Sequence, residues 1–395
     1  MECIRISLLI LGIWPEEHKL EKDFSFLRYR YIVTLVFILF LLFIPQCANL
    51  FIVYNSLELI TENLTTVNFA VLVVFSKFFI MKSKRKVLGE MLKSYARHWE
   101  NVEDSEERKT MMHYANIAGK IAIGCFMLTQ GAATLKNVQK IFEIIESKAK
   151  GLERIFILQS LLPPIFKVTP YYELACLGQV IGIYCLSITY SAVDCLVYIL
   201  TFHVCGQFKT LQRSLMTAID SPKYLKNSEE FKDVLGVVVR KHESLNWFAK
   251  SIEDSFNICF LIQILISTLL MCFQYFLVFR AFFHSENLPV NDIVFMIVYI
   301  VGNMLFIYIY CYMGELLVVA STGLTNTVLE SKWYKLTPNN MKMLMFIVHR
   351  SRKPLKLTAG KFSVLSVATY SNVVKTAAGY MSVMLGIESK KEEAM

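Results

Sequence analysis

The sequence lacks the common signatures of an enzyme. It has no HExxH, no GxSxG, no glycine-rich phosphate loop and no paired CxxC, and its seven histidines are scattered. Gly360-Lys361 comes nearest to a phosphate loop, but a Phe follows the Lys and the upstream Gly is missing. No catalytic residue, metal or cofactor is therefore expected. The ten cysteines form no spaced framework. Cys125, Cys185, Cys195, Cys259, Cys272 and Cys311 fall inside apolar blocks, where a thiol behaves as a small hydrophobe. No cleavable leader is expected either. The run Ile6 to Trp14 is short, is followed by Pro15 and a charged EEHK, and has no small-residue cleavage site. It reads as a helix lying at the membrane interface. The lack of an internal repeat argues against the inverted-repeat transporter folds.

What the chain does have is apolar length. Of 395 residues, 55% are hydrophobic, and the mean hydropathy is +0.47. A soluble domain sits nearer 45–50% apolar. The excess is gathered into blocks of about 20 residues, the length a helix needs to cross roughly 30 Å of hydrocarbon. Seven crossings are predicted: Tyr31–Val53, Thr65–Met81, Asn116–Leu135, Leu174–Cys205, Asn257–Phe279, Asp292–Ala320 and 360–385. The third is thinned by glycines, and the seventh is the least apolar. The expected class is an all-α membrane protein, one seven-helix unit over residues 1–395, with lipid as its surroundings.

The net charge of +9 would point a soluble protein toward nucleic acid. Here it follows from loop bias, and no nucleic-acid partner is expected. About 28 Lys and Arg fall in the N-terminal 30 residues and the loops after crossings two, four and six. About eight fall in the alternate loops and the tail. The positive-inside rule then puts the N-terminus in the cytoplasm and the C-terminus outside. The Asn63-Leu64-Thr65 sequon falls in the first outside loop, as this topology requires, although so near a crossing it also reads as chance.

The inside loops carry helical patterns of their own. Asn227 and Glu230 offer a capping box. Phe231, Leu235, Val238, His242 and Leu245 follow at helical spacing into the fifth crossing. Thr337-Pro338 reads as an N-cap with Pro at the first helical position. Met341, Leu344, Met345 and Val348 then form an apolar stripe, with Pro354 as the stop. Helices within 206–256 and 321–356 are therefore expected to pack on each other or on a neighbouring subunit.

Two groups of residues are candidates for function. Thr369, Asn372, Thr376 and Gly379 share one face of the last helix, with Ser366 and Ser382 extending it. Such a stripe either packs closely on another helix or lines water. Lys375 fits the second use, because a charge at depth faces protein or a wet cavity, although snorkelling toward the cytoplasm would also hold it. The expected pore-side residues are Asn372, Val373, Thr376 and Tyr380. In the outer halves of the crossings, Phe69, Leu72, Met127, Gln130, Tyr184, Phe273, Tyr275, Phe295 and Tyr299 form a candidate apolar pocket with a few polar handles. Asp194 is the clearest acid at mid-membrane depth, with Glu315 nearer the inner boundary, and both read as hydrogen-bond partners.

Four stretches carry a resemblance. They are LLILGIWP (Leu8–Pro15), TPYYELACLGQ (Thr169–Gln179), CYMGELLVVASTGLTNTVLESKWYKL (Cys311–Leu336) and PLKLTAGKFSVLSVATYSNVVKTAAGYMSVM (Pro354–Met384). In order and spacing the set resembles the insect odorant receptors across the whole chain. That resemblance implies an odorant-gated, non-selective cation channel in the plasma membrane of olfactory neuron dendrites. It implies a heterotetramer with the odorant receptor coreceptor, a seventh helix lining the pore, and a small volatile odorant bound among helices two to six. The loop Gly206–Ser251 lacks the coreceptor's long insertion, so the chain resembles a ligand-tuning subunit. It ends without the Gln-Phe of gustatory receptors. A G-protein-linked seven-helix receptor predicts the opposite orientation, and neither DRY nor NPxxY is present. A transporter remains the third alternative.

Overall fold

The computed structural model describes residues 2–15, 21–54, 57–222, 228–283 and 290–393. Helices dominate them. A short α1 (Glu2–Ile10) leads to α2 (Glu21–Ile38), which passes through a π-helical turn into α3 (Ile44–Val53). A second π turn joins α4 (Leu57–Asn63) to α5 (Phe69–Ser83), and α6 (Arg85–Glu100) follows. Then come four long helices or helix pairs: α7 (Ser105–Ala149), α8 (Tyr171–Asp220), α9 (Ser228–Phe283) and α10 (Val290–Glu330). The chain closes with α11 (Pro338–Ser351), a two-stranded hairpin (β1 Thr358–Ala359, β2 Ser363–Val364) and α12 (Val367–Glu393).

Among the described residues, six helical stretches are long and apolar enough to cross a membrane: Tyr29–Val53, Leu59–Ser83, Ser105–Ala149, Tyr171–Asp220, Glu229–Arg280 and Ile293–Glu330. The last helix is long enough but is not among them, because hydroxyls and small residues hold its hydropathy down. α8 forms the spine. Its middle third is buried almost all round, from Ser191 to Phe208, as expected of a helix enclosed by others rather than facing lipid. α7, α9 and α10 surround it.

The helical pattern after the fourth crossing runs unbroken into the fifth. Phe231, Leu235, Val238, His242 and Leu245 are all buried along α9. Asn227, read as the cap, lies outside the described residues. Thr337 does cap α11, its hydroxyl accepting from the Asn340 amide at 3.4 Å. The stripe on α11 differs from the expected one: Leu344 and Ile347 are buried with Asn340 and Ser351, while Met345 is 68% exposed. The i, i+3, i+7 face won because hydrophobicity alone does not fix which neighbour a helix meets. α1 packs against α8. Leu8, Leu11, Ile13 and Trp14 are buried and Ile6 and Ile10 exposed. The N-terminal stretch therefore clasps the bundle rather than only lying beside it.

The last helix starts later than 360. Gly360 (φ 61°) and Lys361 (φ 65°) are left-handed. They turn the chain so that Thr358 pairs with Val364 and Ala359 with Ser363. A helix cannot run through two positive φ values. The hairpin is pinned to α9: the Gly360 amide donates to the Asn257 carbonyl at 2.8 Å, and Glu253 accepts from the Thr358 amide and hydroxyl. Glu315 then accepts from the Val367 amide at 3.0 Å, satisfying the start of α12.

At the end of the bundle that carries α1, His98 meets His203, Nδ1 to Nε2 at 3.0 Å, among Tyr95, Trp99 and Phe248. Burial, then the nearby Lys241 and Arg97, pulls the His98 imidazole down to about 4. Below its ordinary value near 6.5 the unfolded chain takes a proton that the folded chain refuses. Stability is therefore complete above about pH 6.5 and falls as the pH drops from there toward 4. Thermal melts of detergent-solubilised protein should show this loss, and His98→Gln should lessen it.

Candidate ligand cavity and last-helix face

At the opposite end of the bundle, α4, α5, α7, α8, α9 and α10 enclose a cavity of about 1080 Å³. Its wall is apolar: Ala70 and Val73 from α5, Leu128 and Ala132 from α7, Ile183, Leu186 and Tyr190 from α8, Leu270 and Leu277 from α9, and Phe295, Val298, Tyr299 and Phe306 from α10. The rim is charged. Lys140 pairs with Glu143 at 2.7 Å, Gln159 donates to Glu62 at 3.0 Å, and the Lys136 ammonium lies 5.0 Å from the centre of the Phe295 ring. A few polar groups reach the interior. Ser187 donates to Gln130 at 2.9 Å, and Asn303 to the Ser267 carbonyl at 3.0 Å. The Asn137 amide nitrogen and the Gln274 amide oxygen are buried without a partner among the described residues, and both residues line the cavity. Unpaired buried amides are costly unless a ligand or water satisfies them.

Of the nine pocket residues expected from sequence, Phe295 and Tyr299 line this cavity. Gln130 stands just behind it, holding Ser187 and Ser191. Tyr184 shares a hydrogen bond with Thr134 at 2.9 Å. Phe69 and Phe273 stack on each other, centroids 5.9 Å apart, rather than facing the space. Met127 (65% exposed) and Leu72 (41% exposed) point outward, and Tyr275 turns to Met304 and the last helix. Where the lining differs from the expected positions, it differs in helical phase. Leu128, Val73 and Gln274 line the cavity, each one residue from an expected position, and one residue is 100° around a helix.

The last helix has two distinct sides. Val373 and Ala377 are buried against Met271, Ile307 and Cys311 of α9 and α10. Asn372, Lys375, Thr376, Gly379, Tyr380 and Ser382 are exposed. Three of the four expected pore-side residues thus lie on the open face, and Val373 lies on the packed one.

Sequence inspection passed over Lys77. It lies inside α5, 1% exposed, with its Nζ 2.6 Å from the equally buried Asp194 carboxylate. The same ammonium donates to the Tyr190 carbonyl at 3.0 Å and sits 3.8 Å from that ring's centre. The Tyr310 hydroxyl donates to Asp194. A lone Lys in an otherwise apolar run was the available signal. Glu315 is not part of this cluster. Asn63 is 1% exposed, and its side chain is hydrogen-bonded to Asn68 and Gln159, so its sequon offers no amide to a glycan. None of the ten cysteines is paired.

A family model of the 7tm odorant receptors matches residues 55–378. The chain belongs to that family. This receptor is similar to Odorant receptor 13a of Drosophila melanogaster, 27% identical over 53% of this chain and 52% of that one. It also matches Odorant receptor 9a of the same fly, at 24% identity over 88% and 86%. The matched stretch spans only about half the length of Odorant receptor 13a and of Odorant receptor 67c of the same fly. Among solved structures, the insect olfactory receptor OR5 of Machilis hrabei, seen alone and in complex with eugenol, superposes with a TM-score of 0.82. It covers 98% of this receptor at 14% identity, so the likeness is one of fold. The receptor is a multi-pass, all-α membrane protein.

Proposed function

We propose that this receptor is the ligand-tuning subunit of an odorant-gated, non-selective cation channel that assembles with the odorant receptor coreceptor. The observation that carries this reading is the open polar face of α12. Its own chain packs one side of that helix and leaves Asn372, Thr376 and Tyr380 uncovered. Uncovered hydroxyls and amides inside a membrane need water or another subunit. The cavity is the proposed odorant site. Its size and apolar wall suit a small volatile molecule, a class to which the eugenol bound by the Machilis receptor belongs. The unpartnered Gln274 and Asn137 amides favour ligands with a hydroxyl or carbonyl. The loop charges support a cytoplasmic N-terminus, which puts α9's first half and α11 on the cytoplasmic side, as the anchor between subunits. Olfactory dendrite membranes are the proposed location.

Patch-clamp of cells expressing this chain with the coreceptor should record cation current evoked by odorants. Surface expression without current across a broad odorant panel would refute the reading. Thr376→Val should change the permeability ratios among monovalent cations, and unchanged ratios would remove Thr376 from the lining. An N-terminal tag should stain only after permeabilisation; staining of intact cells would favour a G-protein-linked receptor.

A further inference from the structure

We propose that the buried Lys77–Asp194 pair passes occupancy of the cavity to the last helix, with Tyr190 as its receiving end; this rests on the channel reading above. Tyr190 lines the cavity. It is also held by the Lys77 ammonium, which lies over its ring and donates to its carbonyl, and its hydroxyl accepts from Gln263 of α9. One turn further along α8, Asp194 takes the same ammonium and the hydroxyl of Tyr310. Tyr310 belongs to α10. Within a turn of it, Ile307 and Cys311 pack on Val373 and Ala377, and Tyr308 meets Tyr370 edge-on at 5.5 Å. Cavity wall, ion pair and α12 are thus joined by direct contacts.

Stability does not require this arrangement, because well-packed apolar residues generally replace a buried ion pair without loss. Ionisable groups at membrane depth are functional in the usual case. The cluster also has a spare site: the second Asp194 oxygen has no partner among the described residues. A ligand that displaces the Tyr190 ring uncovers the ammonium. In a medium of low dielectric a small shift of that charge is felt strongly by the carboxylate and by Tyr310. Coupling of this kind needs a two-state element biased by both ends. The re-paired ammonium is that element.

The test uses the full receptor with the coreceptor. Lys77→Met/Asp194→Leu, which restores an apolar core, should reach the cell surface yet raise the odorant EC50 about tenfold or more. A double variant at the surface with a wild-type dose–response overturns the proposal. Should that variant stay inside the cell, the isosteric Asp194→Asn decides by the same readout. Tyr190→Leu combined with Asp194→Asn should shift the EC50 no further than the larger single change, whereas additive shifts mean independent roles and overturn the link. Wild-type receptor at the surface without current refutes the channel reading and this proposal with it.

Discussion

Lys77→Ala is expected to cost the fold about 3–5 kcal/mol, the range for stripping one partner from a buried ion pair. The loss is not the Coulomb attraction alone. Lys77 and Asp194 are each 1% exposed, so without the ammonium the carboxylate is left charged and dry, or must take a proton. Two further groups lose their partner, the Tyr190 carbonyl and the face of its ring. The double replacement by Met and Leu removes both charges and should recover most of the folded yield. Fluorescence-detected size exclusion of tagged protein measures both. A folded yield of Lys77→Ala equal to wild type would mean that water reaches Asp194. The exposed Lys109–Glu106 pair supplies the contrast: its side chains are 73% and 43% exposed. Lys109→Ala should leave stability almost unchanged, because solvent already screens the pair.

Gly314→Val should also be damaging, for a steric reason. A Cβ at Gly314 would stand 2.5 Å from the Leu365 backbone oxygen and 2.7 Å from its Cβ. Leu365 cannot retreat. It is fully buried, and its amide donates to the Leu357 carbonyl at 2.9 Å. Two residues on, Val367 is tied to Glu315. Added bulk must therefore push α10 away from the hairpin that launches α12. Overpacking typically costs about 1–3 kcal/mol, and here the strain falls where the last helix is set. Folded yield should drop, and whatever reaches the surface should pass little odorant-evoked current. Gly379 behaves differently. Nothing lies within 4 Å of a Cβ added there, so Gly379→Ala should leave the fold of the chain intact. Normal currents in Gly314→Val would show that α12 is positioned without this contact.

Helices were readable because lipid leaves the backbone no alternative. Any long apolar run must satisfy its own hydrogen bonds, so composition and spacing locate it. The face a helix presents was harder. On α9 four apolar residues and His242 at regular spacing picked the buried side, because that side is mostly apolar. In the outer halves of α5 and α9, and in the run around Met127 on α7, nearly every residue is apolar, so no moment distinguishes lipid from cavity. That is why Met127 was expected where Leu128 stands, and Tyr275 where Gln274 stands.

The sequence by itself determined an all-helical membrane chain, the loops that bear the positive charge, the polar stripe of the last helix and the odorant-receptor motifs. Each of these is carried by local composition or by order along the chain. Tertiary structure alone decided that Lys77 meets Asp194, separated by more than a hundred residues, and that Tyr190 links them to the cavity. It also turned residues 358–364 into a hairpin and buried Val373. Pairings between distant helices depend on rotation and depth, and those are fixed only when the whole bundle closes.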